Sequence, residues 1–268
     1  MKTLYLSDLD GTLLRNDETV SDFTAEVINN ICKKGVFFSF ATARSLVTTK
    51  KVTEKISTAI PAIVYNGAFI MDTVSGEIIY GNYFEDDTKE LFEDIEKHGI
   101  FPVVYSFTNG VEKLSFVEGK SSQGQKLYLK SRAGDKRINP VKSFGELLKG
   151  EKFYITCIDE VEKLFPVYEK YKDNFKCLSQ KDYYSDYYWL EIMPKNTTKA
   201  NAALKLKEIL GCDKLVVFGD EINDIDLFKI ADKAVAVANA KPELTPFATE
   251  FTDSNENDGV AKYLIKHT

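Results

Sequence analysis

The stretch that most constrains this chain is Leu4-Tyr5-Leu6-Ser7-Asp8-Leu9-Asp10-Gly11-Thr12-Leu13-Leu14. An apolar run of the kind that fills a buried strand stops abruptly at two aspartates, a glycine and a threonine. Residues i and i+2 of an extended strand face the same side, so the expectation is that Asp8 and Asp10 project together while Leu9 points away. In an open parallel sheet, ligands bind in the crevice beyond the carboxyl ends of the strands. Two carboxylates about 4 Å apart repel by roughly 4 kcal/mol at an effective dielectric of about 20. The pair therefore calls for a shared proton, a basic partner or a divalent cation. Asp, Gly and Thr are also turn formers, and taken alone the stretch is equally an Asx-type turn closing a strand.

The remainder of the chain separates these readings. Ser21 is placed to cap a helix in which Phe23, Val27 and Ile31 recur at helical spacing, with Gly35 as its stop. Val36 to Ala41 is a continuous apolar run, the pattern of a strand buried on both faces. A helix from Ser45 to Ile56 and a strand over Ala62–Tyr65 follow. This β-α-β-α-β order predicts a doubly wound, Rossmann-like parallel sheet of the α/β class. Asn66-Gly67 and Ser75-Gly76 are turn signals, so Ala68–Asp72 and Glu77–Tyr80 read as a small antiparallel extension.

From Phe84 the texture changes. A helix over Glu85 to Lys97 precedes strands at Phe101–Phe107 and Lys113–Phe116, then at Phe153–Asp159 and Tyr187–Met193, with a helix around Val161–Tyr171. Gly119 to Gln125 and Ser131 to Pro140 read as loops. Regular alternation returns at Pro194. Asn196 or Thr197 is placed to cap a helix through Leu210, Lys214–Phe218 is a buried strand, a helix covers Asn223 to Ala231, and Ala234–Ala238 closes the sheet. Pro242–Ala248 and Gly259–Lys266 read as short closing helices. The expectation is a core made of residues 1–83 and 192–268, interrupted by an α+β domain over 84–191.

Composition narrows the function. The 268-residue chain is 44% hydrophobic and 28% charged, with a net charge of −6, the profile of a soluble globular protein. Its pI near 5.2 argues against nucleic-acid and anionic-membrane partners. Cys32, Cys157, Cys177 and Cys212 are scattered, without Cys-x-x-Cys spacing, which suits free thiols in a reducing compartment. The apolar run after Lys2 is too short for a signal-peptide core, so the expected location is cytoplasmic. His98 and His267, the only histidines, fall near predicted helix ends and read as helix-terminal residues rather than catalysts.

Four places share one grammar, a strand end or helix start carrying a group able to bind phosphate or metal. They are Asp8 and Asp10; Thr42 and Arg44; Lys199; and Asp220, Asn223 and Asp224. In order and spacing this set resembles the haloacid dehalogenase (HAD) superfamily of phosphotransferases. Asp8-Leu9-Asp10-Gly11-Thr12 is similar to its first motif, Thr42 to its second, Lys199 to its third, and Gly219-Asp220-Glu221-Ile222-Asn223-Asp224 to its fourth. The insert resembles the C2B cap of the Cof-type sugar-phosphatase branch, and Asn66-Gly67-Ala68 also fits that branch. Two departures are Ala43, where many relatives have Gly, and Thr198-Lys199-Ala200, where Ser-Lys-Gly is commoner.

The resemblance implies a phosphatase acting on a small phosphorylated metabolite, a sugar phosphate foremost. Asp8 would be the nucleophile and Asp10 the general acid and base. Mg²⁺ would be held by Asp8, the backbone carbonyl of Asp10 and Asp220. Thr42, Lys199 and Asn223 would bind the phosphoryl group, with Asp224 supporting them. A phosphomutase shares the same aspartyl-phosphate and is the enzymatic alternative. A phospho-receiver signalling module is the non-enzymatic one, disfavoured by the Asp-x-Asp on the first strand and by the large insert. Tyr183, Tyr184, Tyr187, Tyr188 and Trp189 are able to stack on a sugar but read first as strand and core residues. Acids of the insert such as Glu191 carry no assigned role.

Overall fold

The computed structural model describes residues 1–57, 61–85, 88–181 and 186–268. The chain divides into two compact units, Met1–Gly81 with Thr197–Thr268, and Asn82–Asn196. In the first unit β1 (Thr3–Ser7), α1 (Asp22–Lys33), β2 (Phe37–Phe40), α2 (Leu46–Val52), β3 (Ala62–Val64), β4 (Phe69–Met71) and β5 (Ile78–Gly81) precede the insert. The insert contributes α3 (Lys89–Lys97), β6 (Val103–Thr108), β7 (Val111–Val117), α4 (Gln123–Ser131), β8 (Ile138–Val141), β9 (Glu151–Asp159), α5 (Val161–Tyr171), β10 (Lys176–Lys181) and β11 (Tyr188–Met193). After it come α6 (Lys199–Ile209), β12 (Lys214–Gly219), α7 (Ile225–Ile230), β13 (Lys233–Val237), β14 (Glu250–Thr252) and α8 (Gly259–His267).

The central sheet is parallel throughout, in the order β14-β13-β12-β1-β2. Leu4 and Leu6 of β1 face α6 and α7 with Leu215 and Val217, in a cluster that includes Ala203, Leu206 and Leu227. The alternate residues face the other way, where the Phe218 and Tyr263 rings meet edge to face at 5.2 Å. Both faces are thus covered, which is why these strands read as unbroken apolar runs. Each fully buried leucine contributes about 1.5–3 kcal/mol. Ser21 caps α1 by accepting the Thr24 N–H at 3.0 Å.

The edges depart from expectation. β3 touches the parallel sheet only through a bridge from Ala41 to Ile63. It belongs instead to an antiparallel β3-β4-β5 sheet. The reversal runs through Tyr65, Asn66 and Gly67, with φ of 52°, 54° and 96°. At the other edge β14 adds a strand beyond β13; Glu250-Phe251-Thr252 is too short and too mixed to show an apolar pattern. The α6 cap is Thr198, whose hydroxyl accepts the Asn201 N–H at 3.0 Å, rather than Asn196 or Thr197.

The second unit is a six-stranded sheet in the order β10-β11-β9-β6-β7-β8, antiparallel except for β7-β8. On one face α3 and α5 deliver Leu91, Phe92, Ile95, Leu164 and Val167 onto Val104, Ile155, Leu190 and Ile192. The segment expected as a loop at 119–125 starts α4, capped by the Ser122 hydroxyl, and the one at 131–140 runs into β8. Both were hidden by polar composition; Pro140 is tolerated because β8 is an edge strand. Tyr188 packs against the α3–α5 core, Trp189 faces the opposite side against Tyr128, and Tyr183 and Tyr184 lie outside the described residues. His98 ends α3 and His267 ends α8. Among the described residues no helix is long and apolar enough to cross a membrane.

Candidate active site

β1 and β12 run in register, Ser7 opposite Phe218, and the Asp8 N–H donates to the Phe218 carbonyl at 3.0 Å. The residues that follow the two strands therefore emerge side by side. Asp8, Asp220 and Asp224 present carboxylate oxygens that all lie within 4.8 Å of one another. Lys199, the first residue of α6, reaches this cluster and places its Nζ 2.8 Å from Asp8 Oδ1 and 2.8 Å from Asp224 Oδ1. Asp8, Lys199 and Asp224 are all buried. Asp224 Oδ2 accepts the backbone N–H groups of Asp220 and Glu221 at 3.2 and 3.3 Å. Asp220 Oδ1 accepts the Thr12 hydroxyl at 2.7 Å.

Both oxygens of Asp224 are thus committed, whereas Asp8 and Asp220 each keep one carboxylate oxygen without a protein hydrogen bond among the described residues. One ammonium among three carboxylates leaves net negative charge in a buried place. Burial pushes the Asp8 carboxyl up to about 8; Lys199 opposes this, and Asp224 and Asp220 add to it. Asp220 is pushed up to about 6, again by burial first, with the Thr12 hydroxyl opposing and Asp224 reinforcing. For Lys199 burial pulls downward, but Asp224 and Asp8 together outweigh it and hold the ammonium protonated.

Glycines close this arrangement. Gly11 has φ of +74°, and a Cβ there would come within 2.2 Å of Asp220 Oδ2. At Gly67, φ is +96° and a Cβ would come within 2.2 Å of the Thr198 carbonyl. The Asn66-Gly67 turn therefore seats against the helix start that carries Lys199, which explains a glycine so far from the acidic residues in sequence.

Asp10 lies elsewhere. The strand ends at Ser7, and the Leu9 carbonyl accepts the N–H groups of Thr12, Leu13 and Leu14 at 3.3, 3.0 and 2.8 Å. The chain turns at once, so strand alternation does not carry Asp8 and Asp10 to one side. The Asp10 carboxylate is exposed and held by Arg44, Nε at 2.8 Å from Oδ2 and Nη2 at 2.5 Å from Oδ1. Arg44 also pairs with Glu18 at 3.0 Å, and its pKa stands above the ordinary value chiefly through the hydrogen bond to Asp10.

Thr42 follows β2, which lies beside β1: the Ala41 N–H donates to the Ser7 carbonyl at 2.9 Å. Thr42 is fully buried, and its Oγ1 accepts the Arg44 N–H at 3.1 Å, leaving the hydroxyl proton available. Ala43 is not in the left-handed region, so the substitution of a glycine there brings no backbone strain. Asn223 is exposed on the turn Ile222–Asp224, and the direct partners of Lys199 are Asp8 and Asp224. Sequence reasoning passed over Asn239, whose side-chain amide donates to the Gly11 carbonyl at 2.7 Å. Nothing in its local pattern marks a residue so far along the chain.

A parallel sheet with a discontinuous core thus carries the acid–lysine cluster at the ends of β1 and β12. A family model described as haloacid dehalogenase-like hydrolase matches residues 5–264, and the chain belongs to that family as a Cof-type phosphatase. The Bacillus subtilis protein named 5-amino-6-(5-phospho-D-ribitylamino)uracil phosphatase YitU is 24% identical over 98% of this chain and 97% of its own. The solved structure of TM0651 from Thermotoga maritima is 27% identical, covers 100% of this chain and 98% of that one, and superposes with a TM-score of 0.81. The structure of the HAD subclass IIB sugar phosphatase BT4131, 21% identical over 99% of this chain and 98% of its own with a TM-score of 0.74, shares the fold.

Proposed function

We propose that this enzyme hydrolyses a small phosphorylated metabolite, most simply a sugar or polyol phosphate, through an aspartyl-phosphate on Asp8 with Mg²⁺ as cofactor. The observation that carries the reading is the pair of carboxylates of the buried Asp8 and the partly buried Asp220, each with one oxygen free of protein partners among the described residues, beside the Lys199 ammonium. Hard oxygen ligands with few protein bonds suit Mg²⁺, which keeps several waters. Burial first, and the neighbouring carboxylates after it, push Asp8 and Asp220 upward, and a divalent cation beside them would favour their ionised forms. Asp8, Asp220 and the backbone carbonyl of Asp10 would hold the ion, with Asp224 excluded by its commitments to Lys199 and the backbone. When bound, Mg²⁺ supplies positive charge to the phosphoryl oxygens and to the ionised form of Asp8.

In this reading Asp8 attacks phosphorus while the leaving oxygen takes a proton from Asp10, and Asp10 then takes one from the water that hydrolyses the aspartyl-phosphate. To do so Asp10 exchanges its bidentate contact with Arg44 for the leaving group. Lys199 and the Thr42 hydroxyl donate to the phosphoryl oxygens, and Asn223, on the turn with Asp224, adds an amide. The insert selects the substrate without supplying the chemistry, supported by the absence of all four motif segments from Asn82–Asn196. A substrate with a hydroxylated chain is supported by the printed name of YitU, which specifies a phosphorylated ribityl compound. A cytoplasmic setting is supported by four cysteines that are all free thiols.

The test is hydrolysis of phenyl phosphate by purified enzyme. Activity should vanish after exhaustive chelation and return with Mg²⁺, while Ca²⁺, with its looser coordination, should restore it poorly. Full turnover in chelated protein would show the metal assignment to be wrong.

A further inference from the structure

The turn that carries Asp10 is held by residues far along the chain. Asn239 lies two residues beyond β13, and β12 separates β13 from β1 in the sheet. The Asn239 side chain reaches past the end of β12: its Nδ2 donates to the Gly11 carbonyl at 2.7 Å while its Oδ1 accepts the Asn255 N–H at 3.0 Å. One atom must donate and the other accept, which fixes the way the amide faces. Asn255 in turn donates from its own Nδ2 to the Leu14 carbonyl at 2.9 Å, and Glu256 Oε1 accepts the Asn16 N–H at 2.6 Å. Just after Asn239, the Lys241 N–H donates to the Asp220 carbonyl at 2.8 Å. One short segment following β13 thus grips both the turn after β1 and the turn after β12.

Gly11 is where such a grip has consequences. Asp220 Oδ2 leaves no room for a Cβ there, so the position takes glycine, whose backbone is the least restricted of any residue. The turn's own bond next to it, from the Thr12 N–H to the Leu9 carbonyl, is long at 3.3 Å. Asp10 precedes Gly11, and Thr12, which follows it, holds Asp220 Oδ1 at 2.7 Å. A shift of the Gly11 peptide would therefore move Asp10 on one side and the Thr12–Asp220 pair on the other. We propose that Asn239 is a positioning residue, whose amide supplies the restraint that glycine lacks and so keeps Asp10 and Asp220 in the spacing that Mg²⁺ and the phosphoryl group need. This catalytic consequence rests on the phosphatase reading; the hold on the turn rests on the hydrogen bonds alone.

Asn239 is exposed, so Asn239→Ala should move the urea midpoint by less than about 0.5 M. Three measurements on the full-length protein then separate positioning from bulk stability. Hydrogen exchange, followed without metal or substrate, should quicken about fivefold in peptides covering the turn after β1 and stay as in wild type over the insert. The Mg²⁺ dissociation constant, from calorimetric titration without substrate, should rise about tenfold or more. For phenyl phosphate at saturating Mg²⁺, kcat should fall about 10–100-fold while KM changes less than about threefold, because Thr42 and Lys199 are untouched. Unchanged exchange in the turn would overturn the hold on Gly11. Faster exchange with kcat and Mg²⁺ affinity both as in wild type, or a midpoint lowered beyond the stated shift, would make Asn239 merely structural and overturn the positioning role. Wild-type protein that neither binds Mg²⁺ nor hydrolyses phenyl phosphate would refute the phosphatase reading, and the exchange measurement would still decide the hold on the turn.

Discussion

Asp8 and Asp10 are the same residue type two positions apart, and their surroundings are opposite. Asp8 is buried, paired with an equally buried lysine, and crowded by Asp224 and Asp220. Asp10 is exposed and gripped by a guanidinium that also serves the exposed Glu18. The difference arises within three residues, because β1 stops at Ser7 and the Leu9 carbonyl gathers the N–H groups of a tight turn. A carboxylate that stays put in a buried ion cluster is suited to covalent work. One on an exposed turn, with an exchangeable partner, is suited to moving a proton.

Substitutions break this contrast in graded ways. The largest effect is expected of Asp8→Asn, where an amide replaces the proposed nucleophile: turnover and labelling by a phosphoryl mimic should both be abolished. Substantial residual turnover would transfer the nucleophile's role elsewhere. Asp10→Asn should slow the chemistry by roughly 10²–10⁴-fold while the melting transition hardly moves, since an exposed ion pair contributes about 1 kcal/mol or less. A large loss of stability in that variant would mean that Asp10 is structural.

Lys199→Met sharpens the buried side. It strips the cation from two buried carboxylates, and breaking such a pair costs about 3–5 kcal/mol, measurable as a lowered denaturation midpoint in urea at unchanged m-value. Stability equal to wild type would show that the buried cluster does not depend on the lysine's charge. The smallest effect is expected of Arg44→Ala. Stability should change by less than about 1 kcal/mol, and kcat should respond more than the midpoint does, because the variant frees Asp10 without disturbing Asp8. A variant with normal kcat would show that Arg44 has no part in setting the proton donor.

What was readable in advance depended on range. The buried strands β1, β2, β12 and β13 showed themselves because burial on both faces leaves only apolar residues to choose from. Ser21 announced α1 through a local hydrogen bond that needs no distant partner. Short edge elements such as β8 and β14 carry little burial, so their residues are mixed and pattern reading passes over them. Thr12 sat in plain view within the first motif, but its bond to Asp220 joins residues that only the β1–β12 register brings together. Asn239, which holds the Gly11 carbonyl, had no local signal at all.

By itself the sequence determined the class of the core, the order of its motif residues, and which side chains are able to do phosphoryl chemistry, because strand burial, helix capping and residue chemistry act over a few neighbours. Only the tertiary structure decided that Asp8 and Asp10 part company, that Asp224 is spent on Lys199 and two backbone N–H groups while Asp220 keeps an oxygen free, and that Gly67 seats against Thr198. These outcomes turn on charge, desolvation and close packing between residues far apart in the chain. Such energies are set by where the backbone brings them together, not by which residues they are.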